Sequence, residues 1–272
     1  MENVKIVMCD LDGTLLNHDE MVSIGNQKAI QKLKEHGYLF GLATGRPLCS
    51  VETLVDRWGI KDYVDVVLSL NGGHVKDYNL NREEKYYTID GEHIREVVEF
   101  FKGQPVNFGV YVDNYLAVMY DDALAVRLAN SDAIPYKVVD FETIYDKPQS
   151  KLIVIVDPSD MPQIVEHAKG LSNPAYKSLQ AGKIEYEYMH PQLSKSFGLQ
   201  KVCEWHGYTL ENLMAFGDAD NDADMIRDAG VGVAMANASE KTKGYSNYMT
   251  LDNEHDGVGH FINEVFFEKV KV

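Results

Sequence analysis

The sequence predicts an α/β fold in which a parallel sheet covered by helices is interrupted by a smaller α+β insert. Three observations predict it. Short β-branched runs alternate with helical spacing over residues 4–73, the same alternation returns over 194–269, and the residues between read as paired strands and hairpin turns.

Taken in order, "VKIVMC" (4–9) is a short apolar run suited to a buried parallel strand. Ser23 to His36 places Ile24, Ile30 and Leu33 near helical spacing. "YLFGLAT" (38–44) is a second strand, Pro47 opens a helix reaching about Trp58, and "DVVLSL" (65–70) is a third strand ending at Asn71-Gly72-Gly73. This βαβαβ start implies a parallel sheet. Near the other end, Ser194 to His206 reads as helix, "NLMAFG" (212–217) as strand, Asn221 to Ala229 as helix, "VGVAM" (231–235) as strand and Gly257 to Lys269 as a closing helix.

Between these halves lie "NFGVYV" and "YLAVMY" around Asp113-Asn114, then "SKLIVIV", then "AYKSLQ" and "KIEYEYM" around Ala181-Gly182. Helical segments near 91–102 and 159–170 accompany them. The expected division is a core of residues 1–81 and 190–272 and an insert of 82–189, with "NLNREE" (79–84) and "HPQLS" (190–194) as crossings.

At 272 residues and 45% hydrophobic content the chain can bury a substantial core. Its formal charge of −16, from 26 basic and 42 acidic residues, opposes binding to nucleic acid or an anionic membrane. Apolar stretches fall short of the roughly 18 residues of a spanning helix, and the N-terminus lacks a signal-peptide pattern. With three scattered cysteines, Cys9, Cys49 and Cys203, read as buried thiols, the expectation is a soluble cytoplasmic protein.

Ligands of open α/β sheets bind outside the carboxyl ends of the strands. There the sequence offers Asp10-Leu11-Asp12-Gly13-Thr14, then Thr44-Gly45-Arg46, then Asn71-Gly72, and finally Gly217-Asp218-Ala219-Asp220-Asn221-Asp222, with Lys195 opening the helix before the last strand. Each alone reads as an ordinary turn or surface group; together they suit phosphoryl transfer. Asp10 can attack phosphorus as a carboxylate nucleophile. Asp12, on the same side if extended geometry persists for two residues, can protonate the leaving oxygen and then activate water. Asp10, Asp218 and Asp222 form an oxygen cluster suited to Mg2+, Lys195 adds positive charge, and Thr44 with the amides near Leu11–Asp12 and Asn71–Gly72 can cradle the phosphoryl oxygens.

Two competing motifs fail. Asp218 to Asp224 resembles a calcium loop, but its sixth position is Ala223 where glycine is needed and its twelfth is Ala229 where glutamate is needed. Gly230-Val231-Gly232 lacks the third glycine of a dinucleotide fingerprint. The nine histidines show no metal-ligand spacing.

In order and type, Asp10-Leu11-Asp12-Gly13-Thr14, Thr44-Gly45-Arg46, Lys195 and Gly217 to Asp222 resemble the four motifs of the haloacid-dehalogenase (HAD) superfamily, and the large insert resembles its Cof-type hydrolase branch. Asn71-Gly72 and the tail "LDNEHDGVGHFI" (251–262) also have counterparts there. The resemblance implies a Rossmann-like core with a mobile α+β cap, magnesium dependence and an aspartyl-phosphate intermediate. Asp10 matches the nucleophile and Asp12 the general acid/base, whose backbone carbonyl also reaches the metal. Asp218 matches a direct metal ligand, Asp222 a ligand or its support, Asn221 a polar group beside the phosphate, and Thr44 and Lys195 the phosphate-binding second and third motifs. Arg46 is carried over only as a cap or substrate contact. Two departures, Lys195-Ser196-Phe197-Gly198-Leu199 for Lys-Gly-x-Ala-Leu and Ala236-Asn237-Ala238 for Gly-Asn-Ala, leave every charged group in place.

The expected activity is hydrolysis of small phosphorylated metabolites, sugar phosphates first and pyridoxal phosphate second. A phosphosugar mutase is the nearest rival, and a phosphate-sensing receiver the non-enzyme one; retention of Asp12 argues against the receiver. Leaving-group contacts are expected from the cap, with Tyr86, Tyr87, Tyr111, Tyr115, Arg127 and His190 as unranked candidates.

Overall fold

The computed structural model describes residues 1–270. In chain order it contains β1 (Ile6–Cys9), α1 (Ile24–Glu35), β2 (Leu39–Ala43), α2 (Leu48–Leu54), β3 (Val66–Ser69), β4 (His74–Asp77) and β5 (Arg82–Lys85). Then follow α3 (Gly91–Phe100), β6 (Val106–Val112), β7 (Tyr115–Val118), α4 (Ala123–Ser131), β8 (Tyr136–Val138), α5 (Glu142–Tyr145), β9 (Lys151–Val156), α6 (Met161–Ala168), β10 (Lys177–Gln180) and β11 (Glu185–Met189). The chain finishes with α7 (Lys195–Trp205), β12 (Leu213–Gly217), α8 (Ala223–Asp228), β13 (Val231–Ala234), α9 (Glu240–Tyr245), β14 (Tyr248–Met249), α10 (Gly257–His260), a π-helical turn over Phe261–Phe266 and α11 (Phe267–Val270).

Two compact units result, Met1–Lys85 with Ser194–Val272, and Tyr86–Leu193. The first holds an eight-stranded sheet in the order β14-β13-β12-β1-β2-β3-β4-β5. Strands β14 through β3 are parallel, while β4 and β5 are antiparallel additions. That addition moves the division: Arg82–Lys85, expected to begin the insert, is bound in register to His74–Asp77, so the units part after Lys85 and after Leu193. From β1 the chain builds outward through β2 and β3 on one side, and later through β12, β13 and β14 on the other. β1 is therefore where strand order reverses, the position at which such sheets form a crevice.

Local chemistry explains the helices and their ends. Ser23 caps α1 by accepting from the Asn26 amide, and Gly37, at φ +79°, releases the chain after it. The buried face is Asn26, Ala29, Ile30 and Leu33, while Ile24, expected on it, is 63% exposed. Six residues from Ile24 to Ile30 rotate about 600°, which turns Ile24 away from the core. Asn26 takes the inward place, where its Oδ1 accepts from the Gly259 amide at 2.8 Å. Pro47 caps α2, which ends at Leu54, short of Trp58; the indole of Trp58 turns inward and donates to the Glu20 carbonyl at 3.1 Å. The closing helix widens to π geometry over Phe261–Phe266, which brings the buried pairs Phe261/Phe266 and Ile262/Phe267, each five apart, onto one face.

The second unit is a six-stranded sheet in the order β10-β11-β9-β6-β7-β8, antiparallel except between β7 and β8. Its own hydrophobic cluster includes Ile94, Val97, Phe101, Val154, Ile164 and Tyr188. The hairpin turns fall at Asp113-Asn114 and Ala181-Gly182 as expected; α4, β8 and α5 were not foreseen. Tyr87 stacks on His190 with centroids 4.5 Å apart, and the Tyr111 hydroxyl donates to Asp132 at 2.5 Å. Cys9 and Cys203 are buried, but Cys49 is only half-buried. Among the described residues no helix is long and apolar enough to cross a membrane.

Candidate active site

Asp10 follows β1 directly, and its amide extends the ladder by donating to the Phe216 carbonyl at 3.0 Å. Beyond it the strand ladder stops, leaving Asp12 only an isolated bridge to Leu16. The amides of Leu15 and Leu16 donate back to the Leu11 carbonyl at 3.0 and 2.9 Å, so residues 11–16 form a tight turn. The assumption that Asp12 continues the strand is therefore corrected. Asp10 is 6% exposed, whereas the Asp12 side chain is 56% exposed and bonded to a different partner. Gly13 makes the turn at φ +86°, and a Cβ there would lie 2.5 Å from Asp218 Oδ2, so only glycine lets the backbone pass. Thr14 then donates its hydroxyl to Asp218 Oδ1 at 2.7 Å.

Lys195, the first residue of α7, is 1% exposed and donates to Asp10 Oδ1 at 2.5 Å and to Asp222 Oδ1 at 2.6 Å. Asp222 is fully buried, and its other oxygen accepts from the amides of Asp218 and Ala219, both at 2.9 Å. Those bonds delay α8, which begins at Ala223 where helix was expected from Asn221. Oxygens of Asp10, Asp218 and Asp222 all lie within 4.8 Å of one another.

Two buried carboxylates, Asp10 and Asp222, thus share one ammonium, with the partly buried Asp218 close by. Burial and then the charge of Asp222 push the Asp10 carboxyl well above the usual range, against the pull of Lys195. Burial and then Asp222 likewise raise Asp218 to about 6, opposed by the Thr14 hydroxyl. Burial alone would lower the Lys195 ammonium, but Asp10 and Asp222 hold it above its ordinary value. An all-oxygen donor set with excess negative charge fits a hard divalent cation such as magnesium. Asp90, Glu92 and His93 form another close group, at the start of α3, but both carboxylates are exposed.

The neighbouring strand ends are tied to one another. The amides of Leu70 and Asn71 donate to the carbonyls of Arg46 and Thr44, both at 3.1 Å. Thr44 is 1% exposed, with its hydroxyl accepting from the Arg46 amide at 3.1 Å. Leu70, Asn71 and Gly72 all have positive φ, and a Cβ on Gly72 would lie 2.2 Å from the Ser194 carbonyl oxygen, so β3 turns directly against the start of α7. Asn221 donates to Asn71 Oδ1 at 3.4 Å, and Gly45 packs beside the same amide. Arg46, carried over as a cap or substrate contact, makes a two-pronged pair with Asp12, Nε to Oδ2 at 2.9 Å and Nη2 to Oδ1 at 2.8 Å.

Sequence reasoning missed the ties around the Asp10–Leu16 turn. Asn237 donates to the Gly13 carbonyl at 2.8 Å and Asn253 to the Leu16 carbonyl at 2.8 Å. The only sequence signal was their place in the Ala236-Asn237-Ala238 and 251–262 segments already singled out.

A model of the haloacid dehalogenase-like hydrolase family matches residues 7–262. Two Bacillus subtilis proteins named 5-amino-6-(5-phospho-D-ribitylamino)uracil phosphatase, YitU and YcsE, are 27% and 28% identical to the chain; each alignment covers 96% of it, and 97% and 95% of the relatives. Among solved structures, a haloacid dehalogenase-like hydrolase from Bacteroides thetaiotaomicron superposes with a TM-score of 0.84 at 26% identity, covering 97% of this chain and all of that one.

Proposed function

The chain belongs to the haloacid dehalogenase-like hydrolase family and is a phosphatase of small phosphorylated metabolites, and from that premise we propose that it hydrolyses sugar and sugar-alcohol phosphates through an aspartyl-phosphate at Asp10. The observation that carries this reading is the buried Lys195, bonded at once to Asp10 and Asp222 beside Asp218. Such an arrangement holds a carboxylate in place while supplying the positive charge that an anionic nucleophile needs near a phosphate. The substrate class follows the YitU and YcsE names, which share a phosphorylated ribityl chain; the class is carried over, not that compound.

In the first half-reaction an Asp10 oxygen forms a bond to phosphorus as the bond to the leaving oxygen breaks, and Asp12, protonated on the oxygen that one prong of Arg46 has released, gives the leaving oxygen its proton. In the second, Asp12, now a carboxylate, takes a proton from water. The water oxygen attacks phosphorus, and Asp10 is released with inorganic phosphate. Lys195 balances charge throughout. Thr44, Gly45, Asn71, Gly72 and Asn221, with the backbone at Leu11, are assigned to the phosphoryl oxygens, and Arg46 to holding Asp12.

Asp10 and Asp218 would hold the magnesium, with the Asp12 carbonyl, because among the described residues each of the two carboxylates keeps one oxygen that no protein donor engages. Both Asp222 oxygens are bonded within the protein, so Asp222 is assigned to supporting them. When bound, the ion supplies positive charge against the phosphoryl oxygens.

The test is phosphate release from a panel of sugar phosphates, sugar-alcohol phosphates and pyridoxal phosphate, with magnesium and with a chelator. Metal-dependent release, greatest for the first two classes and reduced at least about a thousandfold in Asp10→Asn, is expected. Undiminished turnover by Asp10→Asn would sink the mechanism; preference for pyridoxal phosphate would overturn the substrate class.

A further inference from the structure

We propose that Asn237 is a positioning residue for Asp12, acting through the Gly13 carbonyl. The inference rests on the assignment of Asp12 as proton donor to the leaving group. Residues 11–16 turn so sharply that the direction of Asp12 depends on the peptide that follows it. That peptide is held on two sides. The Gly13 Cα abuts Asp218, and the Gly13 carbonyl accepts from Asn237 Nδ2 at 2.8 Å.

Asn237 is itself oriented. Its Oδ1 accepts from the Asn253 amide at 3.3 Å, which leaves Nδ2 to face Gly13. Asn253 in turn donates to the Leu16 carbonyl, and Glu254 accepts from the His18 amide at 2.6 Å. The loop after β13 and the segment after β14 therefore grip the Asp12 turn from its outer side, while Arg46 holds the carboxylate itself. An amide is required at 237 because it must accept from one backbone group and donate to another; a carboxylate can only accept. Asn237 is exposed, and its hydrogen bonds run to the backbone of Gly13 and Asn253, so a role confined to packing is a poor account of it.

The test separates proton donation from general damage. Para-nitrophenyl phosphate and phenyl phosphate share the aryl phosphate and differ only in the distant nitro group, but the nitrophenolate leaves with little protonation and the phenolate needs it. Asn237→Ala and Asn237→Asp are each expected to lower kcat/KM for phenyl phosphate about tenfold to a hundredfold, within the range of general-acid catalysis, and for para-nitrophenyl phosphate less than about threefold. Melting temperatures should stay within about 4 °C of the parent. Asp12→Asn must show the same split more strongly. Equal losses on both substrates in the Asn237 variants, or none, overturn the inference while a split in Asp12→Asn keeps the assignment of Asp12. Absence of the split in Asp12→Asn overturns that assignment and the inference with it.

Discussion

Replacing Asp222 with asparagine preserves the shape of a fully buried side chain and exchanges one oxygen for an NH2 group. Neither orientation of that amide fits. With NH2 toward Lys195, an ammonium at 2.6 Å from the present oxygen meets another donor; with NH2 the other way, the amides of Asp218 and Ala219 do. Loss of one charge also relieves Asp10 and Asp218 of repulsion, which opposes the damage. The damage wins, because charge-assisted bonds contribute about 1.5–3 kcal/mol each and breaking a buried pair from one side costs roughly 3–5 kcal/mol. At about 2–4 °C per kcal/mol for a unit of this size, the melting temperature without metal should fall by on the order of 10 °C. The assay is thermal unfolding followed by circular dichroism in chelator, with Asp222→Ala alongside. Asparagine should do no better than alanine. A melting temperature for Asp222→Asn within about 2 °C of the parent would refute the reasoning, since the carboxylate would then be dispensable to the network.

Two further outcomes follow from the same geometry. Asp218 is raised from an ordinary carboxylate value to about 6 in the folded chain, so the metal-free fold binds this proton more tightly than the unfolded chain does. Its contribution to stability is present below the unfolded value near 3.8 and is lost as pH rises through about 6, a change of roughly 3 kcal/mol at 1.36 kcal/mol per pKa unit. Magnesium, which needs the ionised carboxylate, should therefore raise the melting temperature more at about pH 7.5 than at about pH 5; equal gains in a melting series would contradict this. Gly13→Ala combines a left-handed φ with a Cβ 2.5 Å from Asp218 Oδ2, so it should lower kcat at least about tenfold and raise the magnesium concentration for half-activity. Gly37→Ala, at φ +79° with nothing within 4 Å of its Cβ, is the control: it loses stability but keeps the magnesium response.

The parallel core was legible because its strands are buried on both sides and read as continuous apolar runs, as in Ile6–Cys9 and Leu213–Gly217. Arg82–Lys85 was not, because its burial pattern is mostly exposed and its place as a strand comes only from pairing with His74–Asp77. Asn26 escaped for a related reason: a polar residue on a helix face declares itself as buried only when a partner such as the Gly259 amide is known.

The sequence by itself determined the order and types of the groups at the sheet edge, and with them the class of chemistry, because strands ending in carboxylates, a threonine and a lysine carry few other readings in combination. Tertiary structure alone decided their partners. Lys195 stands 185 residues from Asp10 and 27 from Asp222, and only closure of β12 beside β1 puts its ammonium between them. The turn after Asp10 likewise sends Asp12 to Arg46 while Asp10 goes to Lys195, so two aspartates written alike in the sequence sit in different fields. Separation along the chain hides such pairs, and burial gives them their energy.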